Sequence, residues 1–269
     1  MKHRPKNNCK SSTPYEMNLA IDIGNTRIKW ALFQDDTLRG LHSMSADEIA
    51  SLEPSPLCPL LAVLPPELQN PDHIILCATG QIPWQLLKLS ENKVHRLSAS
   101  SQLPIHLDYL TPETLGPDRI AAACGAQKLF CGSPCVIIDA GTCITVDYLD
   151  STATYRGGAI MPGIAMKIRA LHTFTAKLPL LQNDDTYPHP ATGRTTQQSM
   201  GAGVYAATLF ALQGFIGHYR SLDPSTKLVV TGGDASLLWQ EGLKNIPDSI
   251  IEPHLLLMGL NEIMKQNEE

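Results

Sequence analysis

The sequence predicts an α/β protein built as two similar halves with a cleft between them. Three observations carry this. Apolar strand-like runs alternate with helix-like segments, the pattern of sheets covered by helices. One format (apolar run, Asp-x-Gly, polar turn, second run) occurs twice, at Asp22-Ile23-Gly24-Asn25-Thr26 and at Asp139-Ala140-Gly141-Thr142. The chain has 269 residues with 43% hydrophobic and 17% charged side chains, long for one domain and comfortable for two that share a cleft.

Residues 1–17 are polar and basic and lack the apolar centre of a signal peptide. They are expected to form a disordered extension, with Met17 as the start of translation. Asn18 to Ile23 and Arg27 to Phe33 read as strands joined by a Gly24-Asn25 hairpin signal, and Asp36-Thr37 begins another turn. Pro54, Pro56, Pro59, Pro65, Pro66 and Pro71 mark a loop with one short helix. His73 to Thr79 is a buried strand, Trp84 to Leu89 a short helix, and Lys93 to Leu97 a further strand. Gly116-Pro117 opens a helix, because proline in the first turn loses no hydrogen bond. Gly132-Ser133-Pro134 ends it, and the strands CVIIDAG and CITVDYL follow. Thr154 to Ile160 reads as a strand, Gly163 to Phe174 as a helix, and Pro179 to Gly193 as a loop. A long helix spans about Thr196 to Tyr219, and Lys227 to Thr231 is a strand ending at Gly232-Gly233-Asp234. A helix containing Leu237 and Trp239 and an amphipathic helix from His254 to Met264 complete the chain. The halves are expected at 18–115 and 116–269, with the terminal helix packing back on the first.

A net charge of -5 argues against a large nucleic-acid footprint. The seven cysteines are scattered without a Cys-x-x-Cys pair, which points to free thiols in a reducing, cytoplasmic setting. No run is read as the roughly 20 apolar residues of a membrane helix. The nine histidines form no His-x-x-x-His pair, which argues against zinc hydrolase chemistry.

The candidate chemistry lies in the two repeated turns. Asp22, Gly24, Asn25, Thr26 and Lys29 can form an anion cradle, with Asp22 facing phosphates through a hydrated Mg²⁺. An ordinary hairpin closed by Asp and Asn fits the same residues. Asp139 and Thr142 repeat the arrangement, and two such turns facing one another would grip a polyphosphate. Thr145 and Asp147 read equally well as part of that site or as an exposed strand face. The Thr231-Gly232-Gly233-Asp234 turn could admit a purine or be a plain turn. Asp118, in a first helical turn, is expected to stay ionised with help from the helix dipole and to accept a proton from a substrate hydroxyl. Arg119 could fork onto a substrate carboxylate. Helix capping by Asp118 and a surface position for Arg119 is the plainer reading.

The strings DIGNTRIK (22–29), GPDR (116–119), DAGTCITVD (139–147), GGAIMPG (157–163), TAKLP (175–179), GRTT (193–196) and TGGDA (231–235) occur in the order seen in type III pantothenate kinases. That family is also called the Bvg accessory factor family. The chain resembles it from Asn18 to about Ile263. The resemblance implies two ribonuclease-H-like domains of the actin-like ATPase superfamily, a homodimer, and phosphorylation of pantothenate by ATP at the start of coenzyme A synthesis. It also implies that Asp22, Ile23, Gly24, Asn25, Thr26, Arg27, Ile28 and Lys29 bind ATP, with Asp22 near Mg²⁺, and that Thr142 meets ATP. Asp118 becomes the base, and Tyr109, Gly116, Pro117, Asp118 and Arg119 the pantothenate site. Asp139 would coordinate K⁺ or NH₄⁺, and Thr196 would contact substrate. Pro117 replaces the family's usual small residue, and in GRTT a threonine stands for the commoner asparagine, so either Thr195 or Thr196 can make that contact. The alternatives are a non-catalytic nucleotide-binding regulator and a kinase for another small alcohol or carboxylate.

Overall fold

A computed structural model of the chain describes residues 16–51, 58–80, 87, 89, 94–182 and 189–267. The expected extension before residue 16, and the helix expected at Trp84 apart from Leu87 and Leu89, lie outside them. The described chain forms two mixed sheets. The first has the order β3-β2-β1-β4-β5, with β1 at Met17–Ile23, β2 at Ile28–Gln34, β3 at Thr37–Met44, β4 at His73–Ala78 and β5 at His95–Arg96. The second has the order β11-β10-β7-β8-β9-β6. Its strands are β6 at His106–Leu107, β7 at Cys135–Ala140, β8 at Cys143–Leu149, β9 at Thr154–Pro162, β10 at Lys227–Thr231 and β11 at Ser249–Ile251. In each sheet an antiparallel hairpin (β1-β2, β7-β8) is extended by a parallel strand, β4 or β10, beside its first member.

The helices are α1 (Ala46–Ala50), α2 (Pro59–Ala62), α3 (Pro117–Phe130), α4 (Ile164–Thr173), α5 (Thr196–Leu222), α6 (Ala235–Glu241) and α7 (Leu255–Gln266). Between the sheets, α3 and α7 pack into one shared core. Ala20, Ile75 and Cys77 enter it from the first sheet, and Cys135, Ile137, Leu149, Tyr155 and Val229 from the second. Alternation assigns the opposite rows to outer cores: Leu19, Ile21 and Leu76 on one side, Val136, Ile138 and Val230 on the other. Helix α3 is buried from Arg119 to Ala126 because it is covered on all sides, and its alanines let both sheets come close. An ideal Cβ on Gly125 would stand 2.2 Å from the Leu255 carbonyl oxygen, and one on Gly259 1.8 Å from that of Ala121. Only glycine permits this crossing of α3 and α7. Asn18 donates to Asn261 at 3.1 Å inside the shared core, which pins α7 to β1.

Several elements differ from the sequence reading. Residues 35–36 form the turn, and a third strand, β3, follows it at the exposed sheet edge. The β1-β2 connection is a four-residue loop closed by Gly24 N–H donating to the Arg27 carbonyl at 3.1 Å, not a two-residue turn. Lys93 lies outside the described residues, and of the rest of the strand expected at Lys93 to Leu97 only His95–Arg96 pairs; β6 and β11 carry no periodicity long enough to announce them. Helix α5 is long and apolar enough to cross a membrane by length and composition, but half of its most apolar stretch is buried inside the protein, as in a core helix.

Candidate active site

The two Asp-x-Gly turns end matching strands. On β1, Ala20 and Asp22 lie in one row, and on β7, Cys135, Ile137 and Asp139 do; each row runs through the shared core and finishes in an aspartate. Both carboxylates therefore emerge on the faces that look toward α3. Asp118, in the first turn of α3, comes to the same place, and Lys29, paired with Asp22 across the hairpin, supplies the local cation. All three aspartates are half-buried.

Their electrostatics show that they share one site. Burial pushes Asp22 up to about 7; Lys29 pulls against this, while the charges of Asp139 and Asp118 add to it. Asp139 is pushed up to about 6 by burial, then by Asp118, with Lys29 again opposing. The Cys77 thiol, fully buried and in register with Asp22, acts against the rise of that aspartate. At Asp118 the largest influence is burial, which a helix start in the sequence does not reveal. Burial raises it above the usual carboxylate range, although the Arg119 amide donates to Oδ1 at 2.9 Å and the Arg119 charge opposes the rise.

The backbone of the two turns is open. Gly24, Asn25, Thr26 and Arg27 are exposed, as are Thr142 and Cys143. Ile23 and Ile28 point into the outer core, so toward a ligand they offer main chain only. Arg27 is turned away: its Nε donates to Ser43 Oγ at 2.8 Å and its Nη2 to the Ser43 carbonyl at 2.7 Å. Gly232 holds φ at +98°, and a Cβ there would stand 2.4 Å from Asp139 Oδ1. The TGGDA turn thus closes onto Asp139, where the Asp234 amide donates to the Ala140 carbonyl at 2.8 Å.

Arg119 and Asp147 take neither of their plain readings. Both are buried, and they form an ion pair in which Arg119 Nε and Nη2 converge on Asp147 Oδ1 at 3.0 and 2.5 Å, with Nε also reaching Oδ2 at 3.3 Å. Tyr155, which the sequence did not single out, donates to the same carboxylate at 2.6 Å. The only local cue was that Asp147 falls in the inward row of β8, opposite Ile137. Tyr109 stacks its ring over Gly157, whose φ is +84°, and lies 6.1 Å from the ring of Tyr155. Arg119, Tyr109 and Asp118 thus belong to one neighbourhood. Thr195 and Thr196 line a different hollow of about 760 Å³ with Leu171, Leu178, Arg194 and Met200. There Thr195 caps α5, its hydroxyl accepting from the Gln198 amide at 3.2 Å.

The donors suit hard cations. Among the described residues no three carboxylate, imidazole or thiol groups converge into a ready metal cage. Buried carboxylates whose charges oppose ionisation, as Asp139 and Asp118 do for Asp22 and Asp118 does for Asp139, nevertheless favour a cation that keeps waters and phosphate oxygens. Beside Asp139 in register, the Thr231 hydroxyl is buried without a hydrogen-bond partner, an oxygen donor that a monovalent cation could use.

Comparison with known proteins places this geometry. The chain is 36% identical to a type III pantothenate kinase of Cytophaga hutchinsonii over 93% of its own length and 100% of that protein. It is 36% identical to that of Flavobacterium johnsoniae, covering 85% and 90% of the two. Among solved structures, a conserved Campylobacter jejuni protein assigned to the Baf family of transcriptional activators superposes with a TM-score of 0.61 at 22% identity, covering 93% of this chain and 98% of that one. A Sinorhizobium meliloti protein named for 2-dehydro-3-deoxygalactonokinase shares the fold with a TM-score of 0.55 at 12% identity, covering 93% and 96%. The paired sheets are those of the actin-like ATPase fold. The type III pantothenate kinase family model matches residues 18–218, three quarters of the chain and every quoted motif except TGGDA, and the chain belongs to that family.

Proposed function

We propose that the chain transfers the γ-phosphoryl group of ATP to the primary hydroxyl of pantothenate, giving 4′-phosphopantothenate for coenzyme A synthesis. The observation that carries this reading is the meeting of Asp22, Asp139 and Asp118, with one lysine among them, at the ends of two matching Asp-x-Gly strands. The amides and hydroxyls of Gly24, Asn25 and Thr26 and of Thr142 receive the phosphates, with Lys29 as counter-charge. Asp118 accepts the proton of the hydroxyl as that oxygen bonds to the γ-phosphorus and the bond to the bridging oxygen of ADP breaks. Its raised pKa suits this task, since a stronger base accepts the proton more readily. Tyr109 and Arg119 hold the acceptor beside it. Mg²⁺ near Asp22 would neutralise phosphate charge, and K⁺ or NH₄⁺ would be held by Asp139 and the Thr231 hydroxyl.

A homodimer accords with large exposed apolar side chains at Leu110, Ile160, Phe174 and Phe210. Because Thr195 is committed to capping, Thr196 is the better candidate for a substrate contact. The six free cysteines of the described residues accord with a cytoplasmic setting, and the acidic net charge accords with the absence of a nucleic-acid partner. The half-buried α5 is read as a core helix, with no membrane partner.

The test is ADP release with and without pantothenate and K⁺. Release that depends on both is expected. Asp118→Asn is expected to lower turnover by about 10²–10⁴-fold while ATP affinity stays within about twofold. A flat trace from folded wild-type protein would instead favour the non-catalytic regulator, and equal loss of ATP affinity would remove Asp118 from the role of base.

A further inference from the structure

We propose that Asp147 is a positioning residue for the acceptor substrate, acting through Arg119 with the help of Tyr155 and touching no substrate itself. The inference rests on the phosphotransfer reading above. Asp147 sits on the face of the second sheet that α3 covers, directly opposite Ile137. Its side chain is 1% exposed, and both of its oxygens are occupied: Arg119 Nε reaches Oδ1 at 3.0 Å and Oδ2 at 3.3 Å, and Arg119 Nη2 and the Tyr155 hydroxyl also reach Oδ1. The Arg119 guanidinium lies 5.9 Å above the ring of Tyr155, which is fully buried.

Two N–H groups of one guanidinium that converge on Oδ1, one of them shared with Oδ2, fix its plane as well as its position. They use the Nε–Nη2 edge, so the end-on edge of Arg119 is left for the site, and the Tyr109 side chain favours the charged form of the same guanidinium. Arg119 is also the residue next to Asp118, and its amide donates to Asp118 Oδ1. A buried arginine deprived of its carboxylate would turn toward water and take Tyr109 with it. The phosphate turns at residues 24–26 and 141–142 stand outside this chain of contacts. Loss of Asp147 therefore falls on acceptor binding and spares ATP.

The experiment is a double-mutant cycle of Arg119→Gln and Asp147→Asn with Tyr155→Phe beside it, reading KM for pantothenate, KM for ATP and kcat. Asp147→Asn should raise the KM for pantothenate about tenfold or more, with kcat and the KM for ATP within about threefold. In the Arg119→Gln background the same change should add less than about twofold, because its route of action is already gone. Tyr155→Phe should move the same constant in the same direction by less. An unchanged KM for pantothenate in folded Asp147→Asn, or losses that multiply in the double variant, overturns the proposal. Should Asp147→Asn fail to fold, the doubly neutral variant and Tyr155→Phe decide. A double variant worse than Arg119→Gln alone, or a Tyr155→Phe protein with wild-type KM for pantothenate, then overturns it. Wild-type turnover that ignores pantothenate would overturn the parent reading and this one together, an outcome distinct from the others.

Discussion

Asp22 titrates near 7 in the folded chain because burial and the carboxylates of Asp139 and Asp118 outweigh Lys29. In the unfolded chain a carboxyl of this kind titrates at about 3.9. Between those values the folded state binds more protons. Stability therefore falls as pH rises through that window, and above about 7 the full cost of the ionised form is present. Asp22→Asn removes the charge. Without nucleotide, its Tm at pH 8 should exceed the wild type's by about 2–4 °C, after allowance for a half-buried site, and the gap should close toward pH 4. Thermal unfolding at the two pH values measures this, and a variant less stable than wild type at pH 8 would mean that the carboxylate is already compensated. The aspartates of the two turns were legible because each Asp-x-Gly format is local and occurs twice. The ion pair of Arg119 with Asp147 was not, since 28 residues separate the partners and no spacing rule joins a helix start to a strand across a sheet. The upward shift of Asp118 was hidden for a related reason: the helix terminus is visible in the sequence, whereas the burial that raises its pKa is tertiary.

At the scale of elements, the crossing of α3 and α7 decides where Asp118 stands, because α3 carries it in its first turn. A methyl group on Gly259 would meet the Ala121 carbonyl at 1.8 Å, and that oxygen belongs to backbone that cannot swing aside. Gly259→Ala must part the helices. The expected cost is about 2–3 kcal/mol, or a Tm lower by about 5–10 °C, with reduced turnover in the fraction that remains folded. Calorimetry alongside the ADP assay checks both, and an unchanged Tm would show that the helices have room. Long elements such as α3, β7 and β8 were legible from apolar runs bounded by glycine and proline. Strand β3 was hidden because Thr37–Met44 is half-exposed at a sheet edge, so its sequence lacks a buried row. Strand β6 has two residues and exists only because β9 pairs with it.

At the scale of the whole molecule, the repeated turn announced two sheets, but nothing in the chain announced what faces outward. Helix α5 buries Leu212 and Ile216 against the second sheet, while Ala202, Gly203, Ala207 and Phe210 line a shallow hollow on its outer side. Phe210 is 57% exposed, and a phenyl ring left that far in water forgoes a large part of the roughly 1.5–3 kcal/mol its burial would contribute. Small residues beside it would let a second helix approach closely. The same helix begins at Thr196, so an interface here would lie next to the substrate contact proposed for that residue. Phe210→Asp places a charge on this face without touching the core of the protomer. Sedimentation velocity should find the wild type as a dimer and Phe210→Asp as a folded monomer with unchanged circular dichroism. A variant that stays dimeric would move the interface to the other exposed apolar side chains at Leu110, Ile160 and Phe174, and a monomeric wild type would remove the homodimer from the reading.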